Sequence, residues 1–411
     1  MSTRLVLSAV MLMLCLRPAL AASPAEQVAA RACGALLSRV QAVPGTEPAF
    51  LRSYDPSTAG APTIDGAYTY DNALAVIALV ACSHRDAARR IADALLAASE
   101  GGDRSGVTGR IRNAYRPGPV AERPVPPMGW WSDGDDRWVE DPYHVGTATG
   151  NVAWAALALL AVADKAQDDP YRAAAARLAR WAITMLDQRA PAGFIGGLYG
   201  YDDTAERLTW KSTEHNTDLA AVFDWLSRLE PDQGWEADAH VARAFVAAQW
   251  DPASGHFWVG TTPDGVTPNR LNTGLDAQLW PLLLEDAPEM WRASLHYVEA
   301  HHAVSGGVDF NDDRDGIWWE GTAQAALAYR AVGRVKEAER LLSAVNDQFS
   351  PGGFIWATSE VRLTTGLALS PASQVDDFYY YRLPHLAPTA WAALAATGWN
   401  PFTGKSVADR R

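Results

Sequence analysis

The chain has 411 residues, of which 48 are Asp or Glu and 35 are Lys or Arg, so its formal net charge is −13. So acidic a surface repels nucleic-acid phosphates and anionic lipid headgroups, which argues against both as partners. After residue 21 no stretch reaches the roughly 18 unbroken apolar residues that a membrane span needs.

The chain begins with the residue pattern of a secretory signal. Arg4 precedes the apolar run LVLSAVMLMLCL, and the small-residue sequence Ala19-Leu20-Ala21 follows. This order favours cleavage after Ala21 and export to the periplasm or the extracellular space of a bacterium. The mature chain is then expected to span residues 22–411, with no membrane contact after cleavage.

A recurring unit organises the rest of the chain: a Gly- or aromatic-rich turn, an apolar helix with a polar opening, and an amphipathic helix. Apolar helices, typical of helices enclosed by others, are predicted to begin near Tyr68, Thr149, Ser212, Leu271, Trp318 and His385. Amphipathic partners are predicted to begin near Asp86, Tyr171, Trp235 and Val335.

The two ends of this array each lack a partner. The last apolar helix, near His385, has no successor, and an unpaired helix begins near Ala25. Pairing these helices closes a ring, so we predict an all-α toroid that folds as one unit, with short β-hairpins or extended turns in its loops. Closure also brings Cys33 and Cys82 near each other, and the sequence leaves open whether they form a disulfide or two buried thiols.

The polar openings of the apolar helices hold the candidate functional residues. Glu214 and Asp218 lie one helical turn apart, so a buried helix would have to pack both, which raises a carboxyl pKa towards neutrality. Glu320 follows two Trp residues at another helix start. The other polar candidates in these openings are Tyr70, Asp71, Asn72, Asn151, His215, Asn216, Asp276, Gln278 and His385.

Two segments before the last two apolar helices are acidic. The segment DFNDDRDG from Asp309 is similar to a calcium loop but lacks the terminal Glu of an EF-hand, so a solvated turn and no metal site are expected. The second segment runs from Asp376 and Asp377 through three consecutive Tyr to Arg382. Three such Tyr cannot all point the same way, so at least one is expected to face a cleft.

Tryptophan is abundant, with 17 in the chain, and several lie in turns beside Gly and Asp. Indoles in loops can stack on sugar rings or fill gaps between hairpins. The turn tryptophans are Trp130, Trp131, Trp138, Trp258, Trp318 and Trp319. The first three lie in the segment from Gly101 to Val145, the longest interruption of the helical rhythm, which is expected to wall one side of a cleft.

The helix pairs, the turns at Gly193-Phe194 and Gly352-Gly353-Phe354, and the carboxylate-bearing openings resemble the six-hairpin glycosidase superfamily. The resemblance covers nearly the whole mature chain but identifies no family within the superfamily. It implies an (α/α)6 toroid, a functional site at the end where the inner helices start, and action on carbohydrate. Hydrolases on this toroid are mostly inverting.

Glycoside hydrolysis fits these residues, because it needs two carboxylates in an aromatic-lined cleft and no cofactor. We assign Glu214 as the general acid and Asp71 as the leading base, with Glu320 or Asp377 as rivals. The residues expected to bind a poly- or oligosaccharide are Tyr70, Asn72, Asn151, His215, Asp218, Asp276, Gln278, Trp319, Asp376, Tyr380, Arg382 and His385. No metal is expected, and the protein is expected to be a monomer.

Two other readings stay open. A polysaccharide lyase would use Tyr or His as a base and Asn, Arg or His to neutralise a uronate, for example with His215, Asn216, Tyr381 and Arg382. A non-catalytic scaffold for exopolysaccharide export would keep the tryptophans but tolerate the loss of any carboxylate. There is no GxSxG, phosphate-loop, GxGxxG or CxxC pattern, which argues against esterases, kinases and redox enzymes.

Overall fold

The computed structural model describes residues 22–55, 65–101, 109–163, 169–373, 375–376 and 378–410. The expected signal segment, residues 1–21, and Asp377 lie outside these ranges. The α-helices within them are α1 (Pro24–Ala42), α2 (Thr69–Ala81), α3 (Arg85–Gly101), α4 (Pro142–Val145), α5 (Thr149–Val162), α6 (Pro170–Ile183), α7 (Thr213–Leu229), α8 (Trp235–Ala248), α9 (Leu275–Leu279), α10 (Ala293–His301), α11 (Trp319–Ala331), α12 (Val335–Asn346) and α13 (Leu386–Thr397).

Six of these helices form an inner ring, and six surround it. In ring order the inner helices are α2, α5, α7, α9, α11 and α13, and α13 packs back against α2. Each inner helix pairs with an outer one, and α1 is the outer partner of α13. The predicted closure of the ring by the two ends of the array, and with it the (α/α)6 toroid, is confirmed.

Burial follows the predicted difference between apolar and amphipathic helices. The inner helix α5 buries all its residues except Asn151 and Ala161. The outer helix α12 buries a single stripe, formed by Ala338, Leu341, Leu342 and Val345. An enclosed helix must be apolar all round, whereas an outer helix keeps one face in water.

One inner helix is shorter than its sequence predicted. The apolar segment from Leu271 forms only α9, five residues long, followed by a 3-10 helix at Trp280–Leu283. Pro281 explains the difference, because proline has no N–H to donate and its ring clashes with the preceding turn of an α-helix.

The loops carry short antiparallel strands, as expected. The paired strands are β1 (Ala49–Phe50) with β4 (Gly118–Pro119), β2 (Ala67–Tyr68) with β3 (Ala114–Tyr115), β5 (Trp130–Ser132) with β6 (Arg137–Val139), β11 (Trp250–Asp251) with β12 (His256–Phe257), β13 (Ala303–Val304) with β14 (Gly307–Val308), β15 (Ile355–Trp356) with β18 (Pro384–His385), β16 (Arg362–Thr364) with β17 (Tyr379–Tyr381), and β19 (Trp399–Asn400) with β20 (Lys405–Ser406). In the remaining sheet, β9 (Gly193–Tyr199) pairs with β7 (Thr147–Ala148), β8 (Leu186–Asp187) and β10 (Glu206–Lys211). Further 3-10 helices lie at Asp202–Thr204, Pro231–Gln233, Glu289–Arg292 and Val407–Arg410.

A repeated backbone link fixes the starts of the inner helices. The first N–H of five inner helices donates to a carbonyl of the next hairpin in the ring. The links run from Thr69 to Asn113, from Thr213 to Val259, from Leu275 to Phe310, from Trp319 to Ala357, and from Leu386 to Ser53. The last link joins the end of the array to its beginning.

A disulfide joins the first and second helices of the chain. Cys33 on α1 bonds to Cys82 at the end of α2, with the two Cα atoms 5.8 Å apart. This answers the question that the sequence left open. Since α1 packs on α13, the bond fixes the region where the ring closes.

Candidate functional site

Five carboxyl groups from four inner helices converge at the end of the ring where these helices start. Glu214, Asp276 and Glu320 are each the second residue of their helix, α7, α9 and α11. Asp218 lies one turn further along α7, and Asp71 is in the first turn of α2. Burial is the main cause of the raised pKa of Asp218, Asp276 and Glu320; the negative charge of Glu214 raises all three further, and that of Asp71 also raises the pKa of Glu320. We call these five residues the acid cluster.

Glu214 is the least buried member of the acid cluster, since the other four are at most 7% exposed. Burial of its carboxyl group raises its pKa to about 7. At neutral pH such a group exists in both protonation states, which suits a proton donor.

Asp218 and Asp276 are buried deeper in the cluster. Neither carboxyl oxygen of Asp218 has a hydrogen-bond partner among the described residues, and the Trp154 indole N–H interacts with it without reaching hydrogen-bond geometry. Oδ1 of Asp276 likewise lacks a partner there. Burial, followed by the charge of Glu214, raises the pKa of both groups well above its ordinary value.

Glu320 is held by hydrogen bonds from Tyr70 and Gln324. Its Oε1 accepts a 2.6 Å hydrogen bond from the Tyr70 hydroxyl and a 3.5 Å bond from the Gln324 amide. The Tyr70 oxygen in turn accepts a 2.8 Å bond from the Trp391 indole N–H. Burial raises the pKa of Glu320 well above its usual range.

Asp71 pairs with His385 across the closure of the ring. Nε2 of His385 lies 2.9 Å from Oδ2 of Asp71, and both side chains are buried. The His385 ring stacks on Tyr54, with ring centroids 4.1 Å apart. Asp71 is therefore not a helix cap, the alternative that a first-turn Asp leaves open.

A cluster of aromatic rings closes the centre of the ring beneath the acids. Trp154, Trp280 and Trp391 project from three inner segments with ring centroids 5.2 to 5.9 Å apart. Phe402 packs against the first two, and Tyr70 meets Trp154 edge-on. The acid cluster therefore lies over an apolar floor.

His215 lies beside Glu214 in a space that Gly150 leaves open. A Cβ atom at Gly150 would lie 2.5 Å from Cδ2 of His215, closer than real contacts allow. Burial lowers the pKa of His215 to about 4, so its imidazole is neutral at pH 7. Nearby, on the neighbouring inner helix α5, Asn151 donates a 2.8 Å hydrogen bond to the Asn113 side chain and remains partly exposed.

Of the three consecutive tyrosines, Tyr380 faces the acid cluster. Its pKa is raised well above the ordinary value by burial and by the charges of Glu320, Asp276 and Asp71. Two other candidates from this segment lie apart from the cluster: Asp376 is exposed, and the exposed Arg382 covers the Trp356 ring at 4.7 Å.

Three predicted substrate-binding residues have structural roles. The Asn72 amide bonds to the backbone N–H and C=O of Leu51, and the Gln278 amide bonds to those of Phe257 in the same way. Both side chains are fully buried. Trp319 is also buried, in the hydrophobic core. These side chains contact other parts of the protein, so they are not available to a ligand.

The structure adds residues that the sequence did not indicate. Tyr143 and His144 are on the short helix α4, at the end of the long loop before α5. The pKa of Tyr143 is raised to about 12 by burial and by the charges of Asp71 and Glu214. His144 Nε2 lies 2.9 Å from the Tyr68 hydroxyl. The end of this loop thus borders the acid cluster, and its Pro-Tyr-His sequence gave no pattern by which to find these residues.

The same loop presents an exposed aromatic hairpin. Trp131 on β5 lies opposite Trp138 on β6, and Trp130 is adjacent. Their side chains are 55%, 36% and 46% exposed, respectively, whereas the turn residue Trp318 is buried. Tryptophans that could stack on a ligand are therefore concentrated on this hairpin.

The acids that lie close enough together to hold a metal ion are outside the acid cluster. Within the part of the chain that the structure describes, one group of three acids is close enough to hold an ion: Asp309, Asp313 and Asp315, on the loop before α11. None of them belongs to the acid cluster. No helix in the described ranges is long and apolar enough to span a membrane.

Comparisons with known proteins agree on the architecture. No family model matches the sequence, and no curated protein matches it either. Among solved structures, a cellobiose 2-epimerase from Bacillus thermoamylovorans is similar with a TM-score of 0.63 and 11% identity, over 91% of this chain and 98% of the epimerase. The GH76 alpha-mannanase of Bacteroides thetaiotaomicron gives 0.56 and 11%, over 91% and 97%. The chain has the fold of the six-hairpin glycosidase superfamily.

A wild-type glycosidase gives a TM-score of 0.58 with 14% identity, over 90% of this chain and 96% of that enzyme. At this identity the likeness establishes the six-hairpin fold alone. Since catalytic residues differ between proteins that share a fold, the function has to be argued from the acid cluster itself.

Proposed function

We propose that this protein is an exported carbohydrate-active enzyme that hydrolyses glycosidic bonds with inversion. The observation that carries the proposal is the convergence of five carboxyl groups over an aromatic floor, where burial raises the pKa of the partly exposed Glu214 to about 7. Inverting glycoside hydrolysis needs two carboxyl groups that flank the scissile bond. One is protonated and acts as the general acid, and the other is ionised and acts as the base. The solved glycosidase and mannanase with this fold support the substrate class.

In this proposal Glu214 protonates the leaving oxygen, and Asp71 activates the attacking water. His385 orients Asp71 through their 2.9 Å contact. Glu320 is a weaker candidate for the base, because burial raises its pKa and favours its protonated form. In an inverting enzyme the acid and the base are expected about 6.5–9.5 Å apart, with the water between them. The earlier alternative, Asp377, lies outside the described residues.

Residues around the acid cluster are proposed to bind the sugar. Tyr70, Tyr143 and Tyr380 supply ring faces and hydroxyls, while Asn151 and His215 supply polar groups with exposed surface. Asp218 and Asp276 are proposed to stay protonated beside Glu214, because burial and the charge of Glu214 raise their pKa well above its ordinary value. The Trp130–Trp138 hairpin is proposed to contact more distant sugar units by stacking.

Two observations support export. Disulfides form and persist in oxidising compartments, and Cys33 is bonded to Cys82. The sequence begins with the pattern of a secretory signal. We therefore propose a periplasmic or extracellular location.

Two of the residues that a polysaccharide lyase would use are bound to other parts of the protein. Asn216 bonds to the backbone N–H and C=O of Phe194, and Arg382 covers Trp356. Neither is free to neutralise a uronate in the acid cluster. The cluster's negative charge would also repel a polyuronate.

Sugar epimerisation is a second candidate. His215 is neutral at pH 7 and partly exposed beside Glu214, and such an imidazole could exchange a proton with a sugar carbon. The solved cellobiose 2-epimerase has the same fold. Incorporation of deuterium from heavy water into an uncleaved sugar would identify this reaction.

The first experiment is to incubate the purified protein with neutral, acidic and amino polysaccharides and to follow reducing ends and ultraviolet absorbance. Reducing ends without absorbance are expected. Absorbing products would identify a lyase. Binding of a glycan without any product would favour the scaffold reading.

Glu214→Gln should then lower turnover by about 10²-fold or more while glycan binding persists, because general acid catalysis contributes that much. In the wild type, kcat/KM should fall as the pH rises through about 7, since Glu214 must be protonated to act. The matched control is Glu236→Gln, which changes the exposed second residue of the outer helix α8. Near-normal turnover of Glu214→Gln would remove Glu214 from the acid role.

A further inference from the structure

The loop between β14 and α11 holds four oxygen-bearing side chains at alternate positions: Asp309, Asn311, Asp313 and Asp315. One carboxyl oxygen each from Asp309, Asp313 and Asp315 lies within 4.8 Å of the other two. Asn311 is buried beside them, and its side chain accepts a hydrogen bond from the Asp313 backbone N–H. The loop thus gathers carboxylate and amide oxygens around one point.

The expectation of a solvated turn is wrong for Asp309. Its side chain is 0% exposed. Oδ1 accepts a 2.7 Å hydrogen bond from the Phe310 N–H, but the buried Oδ2 has no partner among the described residues. The nearby Gly316 N–H interacts favourably with the carboxyl group without completing a bond to Oδ2.

Burying this carboxyl group next to two others is costly unless something compensates. Asp309 is fully buried, and its carboxyl group lies within 4.8 Å of those of Asp313 and Asp315. The cost of an unpaired buried acid is repaid when a cation binds it.

We propose that Asp309, Asp313 and Asp315 bind a calcium ion, with Asn311 as a further ligand. All the side-chain donors are hard oxygen atoms, which Ca²⁺ and Mg²⁺ prefer to nitrogen or sulfur. Oxygens up to 4.8 Å apart fit opposite sides of a shell with Ca–O distances of about 2.3–2.6 Å. Mg²⁺ requires a tighter octahedron of about 2.0–2.1 Å and keeps more of its water.

The calcium ion would stabilise the loop that holds the start of α9, the helix that carries Asp276. The Phe310 carbonyl, next to Asp309, accepts a 2.8 Å hydrogen bond from the Leu275 N–H at the start of α9. On the other side, the Thr364 N–H on β16 donates a 3.0 Å bond to Asp315, and the Thr364 hydroxyl bonds to Asp313. The site therefore joins the loop before α11 to the start of α9 and to the β16–β17 hairpin.

The test is a calorimetric titration of the chelator-treated protein with CaCl₂, followed by thermal unfolding. One ion per chain is expected to bind. At a free calcium concentration of about 100 Kd, the Tm should rise by about 3 °C, the shift that ligand linkage predicts for a protein of this size. Neither readout depends on enzymatic activity.

Asp313→Asn should weaken calcium binding by at least about tenfold, because it removes one ligand charge. Asp312→Asn is the matched control, since Asp312 is an exposed acid of the same loop outside the cluster. It should bind calcium as the wild type does. Far-UV circular dichroism in chelator should show that both variants are folded.

Three results would overturn the proposal. The first is the absence of both binding heat and a Tm shift in the wild type. The second is an equal loss of affinity in both variants, which would indicate unspecific charge attraction. The third is an equal affinity for MgCl₂, which would rule out the assignment to calcium.

Discussion

Burial dominates the chemistry of the acid cluster. For Glu214, Asp218, Asp276 and Glu320, loss of hydration is the largest cause of the raised pKa, and for the last three the charges of neighbouring acids raise it further. Each of these groups therefore holds a proton to a higher pH in the folded chain than in the unfolded one. It follows that the protein carries a pH-dependent stability cost at its functional site.

Asp218→Asn should stabilise the protein increasingly as the pH rises from 5 to 8. The folded-state pKa of Asp218 lies above its unfolded value, so in this window the unfolded chain releases a proton that the folded chain retains. The wild type loses up to about 1.4 kcal/mol of unfolding free energy per pH unit from this group, and the variant does not. Tm values of both proteins at pH 5, 6.5 and 8 measure the difference.

Asp232→Asn, at an exposed site, should change the Tm equally at every pH. If the Tm difference between Asp218→Asn and the wild type did not vary with pH, the folded-state pKa of Asp218 would not be raised.

At the scale of single residues, the sequence indicated the acids but not their partners. Glu214, Asp218, Asp276 and Glu320 could be found because each interrupts an apolar helix opening. The contact between Asp71 and His385 joins positions 314 residues apart, and no periodicity relates them. The burial of Asp309 depends in the same way on packing that sequence spacing does not encode.

At the scale of elements, five inner helices share a hydrogen-bonding arrangement that we call the clamp. Its residues could not be distinguished from ligand-binding residues in the sequence. In each of these five helices the fourth residue, which is Asn72, Asn216, Gln278, Thr322 or Thr389, bonds to the extended backbone before its own helix. These polar residues next to acids and aromatics look like ligand contacts in the sequence. Only the fold shows that they satisfy buried backbone groups.

Asn216→Ala should lower the unfolding free energy by about 3 kcal/mol, or the Tm by about 4 °C. The change leaves the Phe194 N–H and C=O buried without their side-chain partner. Scanning calorimetry measures the shift. Asn151→Ala is the comparison, because Asn151 is partly exposed and bonds to a side chain, so its cost should be smaller. Equal shifts for the two variants would contradict the clamp.

At the scale of the whole molecule, the helical rhythm was enough to predict the toroid and its closure. The rhythm works because inner and outer helices differ in how many faces they bury, and that difference is visible in the sequence. The short helix α9 shows the limit of prediction from this rhythm. Its apolar segment fits a longer helix, but Pro281 ends the α-helix. That residues 22–411 fold as one unit remains a proposal, which the region of ring closure can test.

The Cys33–Cys82 disulfide offers that test. The bond closes a loop with a sequence separation of 49 residues, for which the chain-entropy model gives about 4 kcal/mol of stabilisation. If the ring unfolds as one unit, the Cys33→Ala, Cys82→Ala double variant should show a single calorimetric transition with the Tm lowered by about 5 °C. A reductant should produce the same shift in the wild type and none in the variant. Two separate transitions would instead mean that the helices at the closure unfold independently of the rest, because a toroid whose ends were only loosely joined would lose α1 and α13 first.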